Sequence, residues 1–102
     1  MQIKALTLSI VIPVYNEQHH IVKCLDSISR QSVAPDEVII VGNNCTDDTV
    51  RIAKKYKLVK VVKESKQGIV FARNTGFNKC KSDVIARIDA DTILPINWVK
   101  DI

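Results

Sequence analysis

Aromatic side chains are scarce in this chain of 102 residues: two Tyr, two Phe and one Trp, 5% of the total. Only Tyr56 stands among the lysines, between Lys55 and Lys57, which is too little for base stacking and argues against a nucleic-acid partner. The net charge is only +4, and Lys54, Lys55, Lys57, Lys60, Lys63 and Lys66 read as a solvated face. No apolar run approaches the roughly 18–20 residues of a membrane span; Leu6 to Val14 is broken by Thr7, Ser9 and Pro13. A signal peptide is lacking too, with a single Lys4 ahead of a short β-type run and no small-residue cleavage stretch. A soluble, cytoplasmic protein is the expectation. The three cysteines, Cys24, Cys45 and Cys80, are odd in number and form no Cys-x-x-Cys pair, so reduced structural thiols are expected rather than zinc ligands. Adjacent His19 and His20 point about 100° apart on a helix and cannot chelate one ion.

What remains is an ordinary globular composition, 46% apolar and 25% charged, in one domain over residues 1–102 with no linker, repeat or low-complexity stretch. Leu8 to Ile12 is a β-branched run closed by Pro13, a buried strand. Ile21, Val22, Leu25 and Ile28 recur at helical spacing and predict a helix from about Glu17 to Gln31, with Asn16 as its cap and Glu17 in its first turn. A loop at Val33–Asp36 leads to a second buried strand, Glu37 to Val41. Thr46 is expected to cap the next helix, which runs to about Tyr56 with Asp47 and Asp48 at its positive end. Leu58 to Lys63 alternates and predicts a strand nearer an edge. A helix from Ile69 to Lys79 and a strand from Asp83 to Ile88 follow, and Pro95 fits the first turn of a short helix carrying Trp98 and Val99. Strand and helix alternate throughout, which predicts a Rossmann-like three-layer α/β/α fold with a mainly parallel sheet and right-handed crossovers.

Ligands of such sheets sit beyond the carboxyl ends of the strands, where the strand order reverses. Three strand ends therefore matter: Pro13–Asn16, Gly42–Asn44 and Asp89–Asp91. Asp89 and Asp91, one residue apart, can face one cleft, where they repel unless a cation sits between them or a donor satisfies one. A hard divalent ion, Mg²⁺ or Mn²⁺, bridges such carboxylates to a diphosphate and neutralises charge as it departs.

Taken together, the segments from Ser9 to Glu17 (SIVIPVYNE), Asp36 to Thr49 (DEVIIVGNNCTDDT), Gly68 to Gly76 (GIVFARNTG) and Ile88 to Thr92 (IDADT) resemble, in order and spacing, the N-terminal half of a family 2 glycosyltransferase. These are inverting enzymes with the GT-A fold, many serving polysaccharide biosynthesis. The resemblance covers about Leu8 to Trp98. It implies that Pro13, Val14, Tyr15 and Glu17 line the pocket for nucleotide base and ribose, with Asn43 touching the base. Arg73 would help hold the nucleotide, Asp89 would sit by the ribose or sugar, and Asp91 would bind Mg²⁺ or Mn²⁺. The implied partners are a nucleotide-diphosphate sugar donor and an acceptor sugar or lipid-linked glycan, the acceptor bound by a half not present here. The catalytic base would then lie beyond Ile102, leaving this chain inactive alone, with an open sheet edge favouring self-association. A longer protein could work at the inner face of a membrane.

Structural roles compete for some positions: Tyr15 could pack over the sheet edge, and Arg73 could pair with Asp89. Cys45, where the family often has Ser, would fill its turn, and Trp98 would pack. The chain departs from the family at Gly42-Asn43, where many relatives carry an Asp, so the base is not named. A nucleotidyltransferase would need a Gly-rich basic loop after the first strand, where Pro-Val-Tyr-Asn-Glu stands instead. A receiver would need an acidic pair there.

Overall fold

A computed structural model describes residues 6–102; Lys4, the single basic residue counted before the first strand, lies outside them. Four strands and three helices alternate: β1 (Leu8–Val14), α1 (Ile21–Ser29), β2 (Glu37–Gly42), α2 (Thr49–Ala53), β3 (Val59–Lys63), α3 (Ile69–Lys79) and β4 (Val84–Arg87). The sheet is parallel throughout, in the order β3-β2-β1-β4. β1 therefore lies between β2, paired from Ser9–Glu37 to Val14–Gly42, and β4, paired from Leu8–Val84 to Val11–Arg87. After β3 the chain returns to the far side of β1, which places the reversal of strand order beside β1.

Every residue of β1 is buried because both of its faces are covered. Leu8, Ile10, Ile12 and Val14 join Val38 and Ile40 under α1 and α2, against Ile21, Cys24, Leu25, Ile28 and Ala53. The alternate residues Val11, Ile39 and Val41 face α3 and meet Ala72. The period of two thus divides one apolar run between two cores, giving the expected three layers. Tyr56, just past α2, donates its hydroxyl to Asp26 of α1 at 2.7 Å, and burial with that carboxylate pushes the phenol up to about 12. Among the described residues no helix is long and apolar enough to cross a membrane.

Several boundaries differ from expectation, each for a local reason. α1 begins at Ile21 rather than Glu17: the carbonyl of Glu17 accepts from His20 N and Ile21 N at 3.0 and 2.9 Å, closing a turn first. Asn16 is no helix cap. It sits at φ 52, and its side chain is used elsewhere. α2 stops at Ala53, and hydrogen-bonded turns carry the chain to Tyr56. Asp48, not Thr46, occupies its N-cap. The segment after Pro95 forms successive turns instead of a helix, with Trp98 and Val99 packed on the core as expected.

α3 lies close to the sheet because small residues face it, Ala72 and Gly76. A Cβ at Gly76 would run into Val11 Cγ1 and stand 3.0 Å from Val41 Cγ2. In an exposed helix Gly→Ala stabilises by roughly 1 kcal/mol. Here the overpacking, about 1–3 kcal/mol, outweighs it, so Gly76→Ala should lower the urea midpoint rather than raise it.

Candidate functional site

At the carboxyl edge of the sheet lies a cleft of about 450 Å³ lined by the ends of β1, β2 and β4 and by the start of α3. Pro13, Val14, Tyr15, Glu17, Asn43, Asp89 and Asp91 all reach its wall, as expected from the strand ends. Tyr15 is exposed there, so its ring is a cleft surface rather than core packing. Arg73 is the exception: it is not among the residues that line the cleft, although its α3 neighbour Ala72 is. Nor does it pair with Asp89, whose carboxylate accepts from Arg87 Nη1 at 3.0 Å.

The acidic turn is built by alternation. Ile88 N donates to Val11 O at 3.1 Å, the last bond of the β4–β1 ladder. Ala90 is then buried while Asp89 and Asp91 on either side are exposed, so one apolar anchor holds two carboxylates out into the cleft. Thr92 N closes the turn on Asp89 O at 3.0 Å. Beneath it, the Cys24 thiol is pushed up to about 12 by burial and then by the Asp91 charge. Like Cys45 and Cys80, it is a free structural thiol.

Asn43 works differently from a group waiting for a base. It is buried, and its Nδ2 donates to the carbonyls of Glu64 and Lys66 at 2.9 and 2.8 Å while its Oδ1 accepts from Gly68 N at 2.9 Å. Asn44, at φ 65, adds bonds to Ser65 O and Gln67 Oε1, both 2.9 Å. The two asparagines thereby set the loop that brings Gln67, Gly68 and Ile69 to the cleft. These three wall residues were missed by sequence reasoning. The available signal was Gly68, whose φ of 135 is a conformation only glycine adopts readily, directly ahead of a helix whose first turn carries no acidic residue.

The opposite wall is tied by Asn16 and Asp47. Asn16 Oδ1 accepts from Thr46 N at 2.8 Å and Asp47 N at 3.3 Å. The Asp47 carboxylate accepts from Thr49 N, Thr49 Oγ1 and Gln18 N, at 3.0, 2.5 and 3.2 Å, and Thr49 Oγ1 also accepts from Glu17 N at 2.8 Å. Asp47 is thus a hub between two loops rather than a helix-end charge, whereas Asp48 pairs with Arg51 at 2.9 Å. Cys45 fills its turn, its thiol 3.5 Å from Val14 O.

The wall carries three carboxylates, Glu17, Asp89 and Asp91, and no Lys, Arg or His. Among the described residues no three His, Cys, Asp or Glu side chains form a metal cage. Two carboxylates fit a hard divalent ion that takes its remaining oxygens from water and a bound phosphate, which is how Mg²⁺ is usually held.

Residues 9–102 match the family model described as Glycosyl transferase family 2. Over 99 residues the chain is 32% identical to the glycosyltransferase AglE of Haloferax volcanii, covering 90% of this chain and 33% of that protein. The crystal structure of S. aureus TarS 1-349 in complex with UDP superposes with a TM-score of 0.87 at 26% identity, covering 94% of this chain and 30% of that one. A mannosyltransferase from Pyrobaculum calidifontis, in complex with GDP-Man and Mn²⁺, superposes with a TM-score of 0.78 at 28% identity, covering 90% and 29%. The chain therefore spans a third or less of each of these relatives.

The Asp47 hub has a pH signature. Burial acts to raise its carboxyl, but the hydrogen bonds from Thr49 and Gln18 outweigh it and hold the group below the usual carboxylate range. A carboxyl depressed on folding contributes stability that is complete above the unfolded value, about 3.9, and is lost as pH falls through the folded one. Asp47→Asn should therefore lower stability at neutral pH and flatten its decline below about pH 4, as read by urea titrations across that range.

Proposed function

This chain belongs to glycosyl transferase family 2, and on that footing we propose that its cleft binds the nucleoside diphosphate end of a sugar-nucleotide donor with a divalent cation. The charge of the wall is the observation that carries this. Three carboxylates, of which only Asp89 has a cationic partner, Arg87 at 3.0 Å and off the wall, would repel a bare diphosphate, so attraction requires a cation between wall and ligand. Asp91, with Asp89 beside it, would hold Mg²⁺ or Mn²⁺. That ion would stabilise the charge that gathers on the diphosphate as it leaves the sugar.

The chain's own residues divide the remaining work. Pro13, Val14 and Tyr15 offer a stiff apolar surface to base and ribose, with Ile69 and Ala72 across from them. Asn43 keeps the far wall in place through its bonds to residues 64–68. The related structures support the reading at the level they share: one holds UDP and the other GDP-Man with Mn²⁺, so the common element is the diphosphate rather than the base.

Transfer by inversion needs a base on the sugar face opposite the departing diphosphate, and no wall residue is assigned to that task. The 102-residue chain alone accordingly binds donor and transfers nothing. Catalysis toward a sugar or lipid-linked acceptor belongs to a longer protein, cytoplasmic or at the inner face of a membrane. Self-association through the open edge of β4 belongs to the same proposal.

Calorimetric titration with UDP and GDP should show binding that depends on Mn²⁺. Asp91→Ala should weaken it at least about tenfold, about 1.4 kcal/mol. Equal heats for wild type and Asp91→Ala in the presence of Mn²⁺ would overturn the proposal.

A further inference from the structure

Beyond Ile88 the chain has left the sheet, and the acidic turn has no strand neighbour on which to lean. From Asp89 to Val99 the described backbone forms no strand or helix, yet it carries two of the cleft's three carboxylates. Its tethers come from the other direction, from one face of α1 and the residues just past it. Ser27, buried within α1, accepts from Leu94 N at 3.0 Å and donates to Cys24 O at 2.7 Å, so its hydroxyl is used in both senses. Gln31, four residues on, donates to Pro95 O at 2.6 Å and Ser27 O at 3.2 Å, and accepts from Val99 N at 3.0 Å. Ser32 N adds a bond to Ile96 O at 2.9 Å, and the Cys24 thiol lies 3.9 Å from Asp89 O.

These bonds share a logic. Apart from the bonds to Cys24 O and Ser27 O, which lie within the 24–32 segment, each joins a side chain or amide of that segment to the backbone of the 89–99 segment, so they fix position irrespective of the identity of the residues held. Leu94, the first tethered amide, is three residues past Asp91 and is itself buried. With Ala90 buried upstream and Leu94 bonded downstream, Asp91 stands between two anchors and its backbone has little freedom to swing.

We propose that Ser27 and Gln31 are positioning residues for the carboxylate pair: α1, through them, sets where Asp89 and Asp91 stand in the cleft. The inference rests on the donor-site proposal for its functional consequence but not for its structural content. Groups that orient a metal ligand from behind typically change metal affinity by 10–100-fold when removed. The positioning role therefore separates two affinities that general destabilisation would move together.

The test uses the 102-residue chain and four variants. In Ser27→Ala and Gln31→Ala, amide hydrogen exchange at Thr92 and Leu94 should accelerate about tenfold or more, while amides of Ile12 and Ile40 in the sheet keep their wild-type rates. Mn²⁺-dependent UDP affinity should fall about tenfold, and any UDP affinity measured without metal should stay the same. Ser29→Ala removes a hydroxyl bonded to Leu25 O within α1 and should change neither readout, and Ser27→Thr, which restores the hydroxyl, should recover both. Unchanged exchange at Thr92 and Leu94 in both alanine variants overturns the inference, as does an equal fall in affinity with and without metal. A wild-type chain that takes up no UDP with Mn²⁺ overturns the donor-site proposal instead, and the exchange rates then decide the tether by themselves.

Discussion

A strand with solvent on neither face and neighbours on both sides must satisfy its backbone groups inside the sheet, and β1 is such a strand. It gives its hydrogen bonds to β2 on one side and β4 on the other, and its side chains alternately to the α1–α2 core and the α3 core. Because all its neighbours run parallel, each connecting segment leaves from the same edge. That edge is where Pro13 to Glu17, Asn43 and Asp89 to Asp91 gather. The cleft is thus a consequence of how the central strand is buried, and its walls are as firm as the loops tied to them.

Those loops are tied by polar side chains used for construction. Asn43 and Asn44 hold the 64–68 loop, Asn16 and Asp47 join the loops after β1 and β2, and Ser27 and Gln31 hold the segment after β4. No buried side-chain nitrogen or oxygen among the described residues lacks a partner, as expected where an unpaired buried polar group costs about 1–3 kcal/mol. The carboxylates of Asp89 and Asp91, by contrast, remain exposed in the cleft. Construction uses amides, hydroxyls and the Asp47 carboxylate, whereas the carboxylates of the acidic turn stay open to a ligand.

Much of this was legible in the residues. Apolar runs of strand length separated by helical spacing dictated the parallel α/β order, since connections of helix length permit little else. α3 matched its expected bounds, because Gly68 and Cys80 bracket it plainly. Position at strand ends identified Asp89, Asp91, Tyr15 and Asn43 as wall residues. Errors fell where a side chain had two local uses. Asn16 and Thr46 both look like helix caps in isolation, but bond to each other's loops across 30 residues of sequence.

The sequence by itself determined the strand order's parallel sense, the acidic turn and the family to which the chain belongs, because periodicity and spacing are local properties that survive without coordinates. Only the tertiary structure decided that the cleft wall gathers three carboxylates and no basic side chain, that Asn43 builds the wall, and that α1 tethers the segment behind Asp91. Hydrogen bonds between residues 20 to 70 positions apart depend on how the layers stack, and no local pattern encodes which of several equivalent amides or hydroxyls will meet.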